Sequence, residues 1–353
     1  MTGKITITDV ARLANVSPST VSNLLNGRTQ RMRPSTQERI WKAIKELGYR
    51  PNQAARQLKT GQSRVIGLIV PSVANPFYGV FARHVENEAL ANGYQVFLGN
   101  SGRDPERERR YAEELWGYGV RGIIIGSSLL EYSHLDDLID RGMHVVTFDR
   151  ITQAGDPVII DSVGVDNHLA ARLATKHLLS LGHRRIGFLS GPIRTVSRQD
   201  RLDGYLTTLR EQGIEPDPGL IWEGTPSGGT FGDATAVELG RQGAHELLSL
   251  ANPPTAIFAV NDMVAFGAYA GARDLGLSIP RDLSVVGMDD IMLTEVVQPP
   301  LTTIRQPIQE IASAAVQRLL GRLNGSHTAP QGHQLLSARL IVRASTAKAP
   351  ARV

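Results

Sequence analysis

Two sets of residues in this 353-residue chain are spaced for chemistry. The first lies within Thr8–Gly27, TDVARLANVSPSTVSNLLNG. Val10, Leu13 and Ala14 recur at helical spacing, Asn15-Val16 interrupts the period, and Val21, Leu24 and Leu25 resume it. The pattern predicts two short helices joined by a tight turn. Thr8 is the expected N-cap of the first, with Asp9 in its acidic first turn. Ser17 is the expected cap of the second, with Pro18 already fixed at a helical φ. Pro18, Ser19, Ser22, Asn23 and Asn26 are then left outward as a small, polar, uncharged face. Hydroxyls and carboxamides on short stems suit hydrogen bonding to base edges in a major groove, the helix-turn-helix arrangement. The outer face of a plain helical subdomain would look the same, so the surrounding sequence has to decide.

The second set follows apolar, strand-like runs: Asn75-Pro76-Phe77-Tyr78, Asp149-Arg150, Ser197 with Arg201, Asn261-Asp262, and Asp289-Asp290. In doubly wound sheets, ligands sit beyond the carboxyl ends of the strands. Carboxylates, arginines and asparagines with two aromatics suit a polyhydroxylated ring, its hydroxyls bonded and its apolar face covered. Each also has an ordinary reading: a loop ion pair for Asp149-Arg150, a helix cap for Asn261-Asp262, plain core for Phe77.

The elements that must position these residues differ along the chain. After Gly27 the loop RTQRMRP is basic. A third helix, Ser35–Leu47, is expected with a Ser35/Glu38 capping box, a core face of Ile40, Trp41, Ile44 and Leu47, and a stop at Gly48. Tyr49–Thr60 holds a helix too short to stand alone in water, so it is either a floppy linker or a segment that folds on binding; folded on DNA, it would offer Leu58 as an apolar wedge for a minor groove. From Val65 onward strand and helix alternate. Strands are expected at Val65–Val70, Gln95–Gly99, Gly122–Gly126, His144–Phe148, Val158–Asp161, Arg185–Ser190, Ala256–Val260, Leu283–Met288 and Arg339–Val342. Helices are expected at Phe77–Asn92, Pro105–Tyr118, Asn167–Leu181, Arg198–Gln212, Thr230–Leu250, Asp262–Leu275 and Pro307–Asn324. Runs such as VIGLIV and LSVVGM fit parallel sheet buried on both faces. The fold class is thus an N-terminal all-α helix-turn-helix domain plus an α/β two-lobed core of two doubly wound parallel sheets, with Asp161–Asp166 as a crossover.

Charge divides the chain in the same place. Residues 1–64 carry twelve Lys/Arg against three Asp/Glu, leaving twenty-six basic and thirty-one acidic residues for the rest. A basic head on a mildly acidic body points to a polyanion partner for the head alone. Without cysteine the chain has no disulfide, thiolate nucleophile or zinc finger. No apolar signal core or spanning stretch is visible, so a cytoplasmic protein is expected. The match GYGVRG at Gly117–Gly122 ends a helix and opens a strand, the reverse of a dinucleotide fingerprint. No catalytic, metal or cofactor constellation is found, so no enzyme and no cofactor are expected.

ITITDVARLANVSPSTVSNLLNG, RPSTQERIWKAIKELGYRPNQAARQLKTGQSRVIGLIVP, NPFY, LLSLGHRRIGFLSGP, RLDGY, PTAIFAVND, DLSVVGMDD, PPLTTIRQP and ARLIVRAST together resemble the lactose/galactose repressor (LacI/GalR) family over nearly the whole chain. The resemblance implies a head that binds near-palindromic operator DNA as a homodimer. It also implies a minor-groove hinge helix and a core similar to periplasmic sugar-binding proteins, with an allosteric small molecule, first a sugar and second a purine-like ligand. It places Pro18, Ser19 and Asn23 at base-reading positions and Asn52, Ala55 and Leu58 in the hinge, Leu58 intercalating. Thr8, Ser17, Thr20, Ser22, Asn26, Arg31 and Tyr49 complete the expected DNA face. Phe77, Tyr78, Asp149, Arg150, Ser197, Arg201, Asn261 and Asp289 fall at effector-contacting places. The loop Gly27–Pro34 is about one residue longer than usual, and the chain lacks the apolar heptad tail of tetrameric relatives. The expected organisation is a head at 1–50, hinge and linker at 51–62, a core at 63–346 and a tail at 347–353. Within the core, the N-lobe is expected at 63–162 plus 293–324 and the C-lobe at 163–292 plus 325–346.

Overall fold

The computed structural model describes residues 5–25, 27–30, 32–49, 63–151, 160–225, 235–325 and 332–350. Two compact units are present, Met1–Ser63 and Arg64–Val353. The expected site residues Asn26, Arg31, Asn52, Ala55 and Leu58 lie outside the described residues.

In the first unit, α1 (Ile7–Leu13), α2 (Pro18–Leu25) and α3 (Pro34–Leu47) surround Val10, Ala11, Ala14, Val21, Leu24, Ile40 and Ala43. Thr8 does not cap α1. The cap is Thr6, two residues earlier, in a capping box: Asp9 Oδ2 accepts Thr6 N–H at 2.9 Å and Thr6 Oγ1 at 2.7 Å. Likewise α3 begins one residue before Ser35, with Pro34 at its first position and Arg33 as a cap without a side-chain bond. Proline's preset φ replaces the expected Ser35/Glu38 box. Asn15 (φ 51) and Gly48 (φ 61) are left-handed, and they end α1 and α3 where the sequence indicated. Trp41 and Leu13 leave the core, at 52% and 47% exposed. The apolar stripe runs through Ile40, Ala43, Ile44 and Leu47, and Trp41 falls roughly 100° around the helix from Ile40.

The second unit contains two six-stranded sheets of matching topology. The first is ordered β11-β5-β4-β3-β1-β2, from β1 (Val65–Val70), β2 (Gln95–Asn100), β3 (Gly122–Ile125), β4 (His144–Phe148), β5 (Asp161–Val165) and β11 (His333–Leu336). The second is ordered β12-β10-β9-β8-β6-β7, from β6 (Ile186–Ser190), β7 (Ile221–Glu223), β8 (Ala256–Ala259), β9 (Ser284–Asp289), β10 (Thr302–Arg305) and β12 (Arg339–Ile341). Every paired strand is parallel except β12 on β10. The central strands are apolar on both faces because helices cover both: α4 (Pro76–Ala91) and α5 (Pro105–Gly117) in the first lobe, α7 (Asn167–Ser180), α8 (Val196–Glu211), α9 (Ala236–Leu248) and α10 (Asp262–Asp274) in the second. The short helix α6 (Asp136–Asp140) precedes β4. Among the described residues no helix is long and apolar enough to cross a membrane.

The chain passes between lobes at 165–167, 305–308 and 336–339. This corrects the expected lobe limits. The strand expected at Val158–Asp161 is β5, Asp161–Val165, so the first lobe runs to 165 rather than 162. Residues 293–305 stay in the second lobe because β10 pairs with β9 in register Thr302↔Val286 to Arg305↔Asp289. Residues 333–336 return to the first lobe because β11 pairs with β5. Between them α11 (Ile308–Leu323) packs on α4, β3, β4 and β5. Asp161 ties this return together: its carboxylate accepts Arg322 Nε at 2.9 Å and Gly332 N–H at 2.9 Å.

Candidate functional site

In the head, Ser17 opens α2 as expected. Its Oγ accepts Thr20 N–H at 3.2 Å and lies 2.8 Å from Ser19 Oγ and from Thr20 Oγ1. These hydroxyls are therefore pre-oriented by the turn. Pro18, Ser19 and Asn23 are exposed, with Thr20 and Ser22 half-buried beside them. Thr8 is exposed on α1, whereas Tyr49 packs partly into the head core. Around the start of α3, Arg33, Ser35, Thr36, Glu38, Arg39 and Lys42 line one concavity, three cations against one carboxylate. A helix N-terminus surrounded by Arg and Lys favours a phosphate oxygen. The head thus joins an uncharged polar probe to a basic support.

In the core every expected site residue is buried: Asp149, Arg150 and Asn261 follow β4 and β8, Asp289 ends β9, and Phe77, Tyr78, Ser197 and Arg201 lie in the first two turns of α4 and α8, the helices that follow β1 and β6. Asp149 follows β4 in the left-handed region (φ 64). Its partner is Arg201 of α8, in the other lobe, rather than the adjacent Arg150. Arg201 Nη2 donates to Asp149 Oδ1 at 3.4 Å, Nε to Asn167 Oδ1 at 2.8 Å and Nη1 to the Val260 carbonyl at 2.7 Å. Asn167 Nδ2 closes the ring onto Asp149 Oδ1 at 3.2 Å. A carboxylate, a guanidinium and a carboxamide from β4, α8 and α7 therefore meet where the lobes meet.

The loop after β3 adds a second junction. Ser128 Oγ donates to the Asp149 carbonyl at 2.7 Å and accepts Ser197 N–H at 3.1 Å, while Val196 N–H donates to the Ser128 carbonyl at 2.9 Å. Leu129 and Thr195 form an antiparallel bridge alongside. Arg150 lies over the Tyr132 ring at 4.7 Å. Phe77 sits in a stack with Phe148 at 5.8 Å and meets Tyr78 edge-on at 5.3 Å. Tyr78 Oη accepts Arg103 Nη2 at 3.1 Å.

On the second lobe, Asn261 is the N-cap of α10, its Oδ1 accepting Val264 N–H at 2.9 Å. Asp289 (φ 125) and Asp290 (φ 56) form a left-handed turn at the end of β9. Such backbone costs about 1–3 kcal/mol per residue and concentrates at ligand clamps. Asp289 Oδ1 accepts Gln306 Nε2 at 2.8 Å. Burial first, then Asp149, Asp203 and Asp166, push the Asp200 carboxyl up to about 6, against the pull of Arg201.

Arg103, Ser128, Asn167 and Gln306 belong to this constellation and were missed in the sequence. Ser128 and Arg103 follow β3 and β2 and answer to the same strand-end rule. Asn167 reads as an ordinary helix start, and Gln306 follows a strand too short to show in the pattern.

Comparison with known proteins gives the family. Residues 6–52 match the profile of bacterial regulatory proteins, lacI family, and residues 175–346 match the periplasmic binding protein-like domain. The HTH-type transcriptional repressor CytR of Escherichia coli (strain K12) is 34% identical over 345 residues, covering 98% of this chain and 97% of CytR. Two solved structures cover 97% of this chain and 99% of their own. The Lac repressor dimer bound to operator and the anti-inducer ONPF has TM-score 0.82 at 29% identity. The transcriptional regulator CelR–cellobiose complex has TM-score 0.71 at 30% identity. With a helix-turn-helix head, a two-lobed core and this likeness along its whole length, the chain belongs to the LacI family of bacterial transcription regulators.

Proposed function

We propose that this sequence-specific DNA-binding regulator is a homodimeric repressor, switched by a sugar-class molecule held between its lobes. In this reading Pro18, Ser19 and Asn23 read base edges, and Ser17, Thr20 and Ser22 order that face. Thr8, Asn26, Arg31 and Tyr49 hold the backbone, and Asn52, Ala55 and Leu58 form a minor-groove hinge. Phosphate contacts supply most of the affinity and its salt dependence, while base contacts supply preference.

The observation that carries the effector reading is the buried Asp149–Arg201–Asn167 ring at the lobe junction. A polyol satisfies such a set of paired donors and acceptors by exchanging its hydroxyls for their mutual bonds. Phe77, Tyr78, Arg150 and Ser197 on one side, and Asn261 and Asp289 on the other, complete the proposed contacts. The Phe77–Tyr78 pair also favours a second reading, a purine-like ligand stacked on an aromatic face. A second copy of the chain accounts for the exposed Leu90 at the end of α4, Phe97 and Leu98 on β2, and Met292 and Val296, which are 79% and 65% exposed.

Fluorescence anisotropy with promoter DNA tests the proposal. Affinity is expected to fall steeply with salt, and one member of a panel of cellobiose, ribose, galactose, cytidine and hypoxanthine is expected to shift the curve. A flat salt response would sink the operator reading. A shift with hypoxanthine alone would favour the purine-like ligand.

A further inference from the structure

We propose that Asp262 is the positioning residue of the interlobe site, its carboxyl clamping the left-handed turn that presents Asp289. The inference rests on reading Asp289 as an effector contact.

Asp262 opens α10 next to the cap Asn261 and has no exposed surface. Its Oδ1 accepts Thr303 Oγ1 at 2.6 Å and its Oδ2 accepts Ile291 N–H at 3.0 Å. One side chain thus joins three segments: the start of α10, the turn after β9, and β10. The neighbouring strand makes room for it. A Cβ on Gly287 would lie 2.3 Å from Asp262 Oδ1, so only glycine lets the carboxyl pass.

The turn being held needs holding. Asp289 and Asp290 are consecutive non-glycine residues at positive φ, a conformation that persists only where the surroundings over-determine it. Asp290 is anchored by Arg305, by Arg343 Nη1 at 2.8 Å and by Thr294 Oγ1 at 3.2 Å. Ile291, the next residue, is anchored by Asp262. Between the sheet and these two anchors lies Asp289, whose Oδ1 accepts Gln306 Nε2 at the passage into the first lobe. Both partners of Asp262 named here are neutral donors, a hydroxyl and an amide. Burial first, then the nearby Asp289, push its carboxyl well above the usual carboxylate range. The two bonds, to Ile291 N–H and Thr303 Oγ1, hold the turn through their geometry. Asparagine would preserve it, its Oδ1 accepting Ile291 N–H and its Nδ2 donating to Thr303 Oγ1.

Hydrogen exchange on the full-length protein without ligand tests the clamp. Asp262→Ala is expected to speed exchange across residues 288–296 at least tenfold while β1 keeps its wild-type rate. Asp262→Asn should stay within about twofold of wild type. Gly287→Ala, which pushes the carboxyl aside, should behave as Asp262→Ala does. Equal acceleration in β1 and in 288–296, or an Asn variant as damaged as the Ala variant, overturns the proposal. A second arm uses ribose as the probe in thermal-shift titrations, where Asp262→Ala is expected to raise the midpoint concentration at least tenfold and Asp262→Asn to leave it unchanged. A wild-type protein unmoved by ribose counts against ribose as the effector, and the exchange result alone then decides the clamp.

Discussion

Arg201 spends two of its donors on the protein's own frame, at Asn167 and the Val260 carbonyl, and a third on Asp149. Its removal would strand a buried carboxylate and two acceptors, a loss of about 3–5 kcal/mol for a broken buried pair. Arg201→Ala is therefore expected to lower the melting temperature of the core as well as the effector response; an unchanged melting curve would refute the framing role. Its neighbour Asp200 gives a pH test. Its folded pKa lies above the unfolded value, so the folded state holds the extra proton between about pH 4 and 6. Stability is lost as pH rises through that window and stays lost above it. Asp200→Asn should stabilise the protein by about 1 kcal/mol at pH 7.5, after allowance for solvent at this half-buried group, and by nothing near pH 4. Denaturation at the two pH values decides. In the head, Asn23→Ala should change preference at one operator position by about 1–3 kcal/mol, and an equal loss on every sequence would exclude base reading. Residue types at strand ends were readable in the sequence, because the fold sends those positions to one crevice. Their partners were not: Asp149 meets Arg201, fifty-two positions away, rather than Arg150 beside it.

At the scale of elements, most of the apolar strands and amphipathic helices were legible to within about two residues, whereas β5 was expected three residues too early. β7, β10 and β11, of three or four residues, were not, because their register comes from neighbours rather than from their own period. The misplaced limits at 293–305 and 333–336 follow from this, since β10 and β11 flank the return through α11, while the limit at 162 follows from β5, which lies at Asp161–Val165. The cap of α1 was misplaced although the sequence carries it: Thr6 has Asp9 three residues on, the spacing of a capping box, whereas Thr8 has Ala11 there. The loop after β3 carries the sharpest consequence at this scale. Ser128 Oγ serves Asp149 in one lobe and Ser197 in the other. Ser128→Ala removes both bonds, each worth about 1 kcal/mol net. The lobes should then open more readily, read as a larger radius of gyration of the ligand-free protein in solution scattering. An unchanged radius would show that the clasp contributes nothing to closure.

The whole molecule joins two units of opposite charge balance, a division the sequence displayed openly because nothing in folding hides net charge. If the dimer forms through the exposed apolar groups, Phe97→Asp with Met292→Asp should yield monomers in sedimentation. Operator affinity should then fall by roughly 100-fold or more, since two linked heads profit from a high effective concentration that single heads lack. A dimeric double variant would move the interface elsewhere. The three passages between the lobes set a broader condition. A single tether leaves one lobe more freedom relative to the other than three connections do. Three connections thus narrow the relative motions open to the lobes, and residues at the strand ends can change without altering those connections.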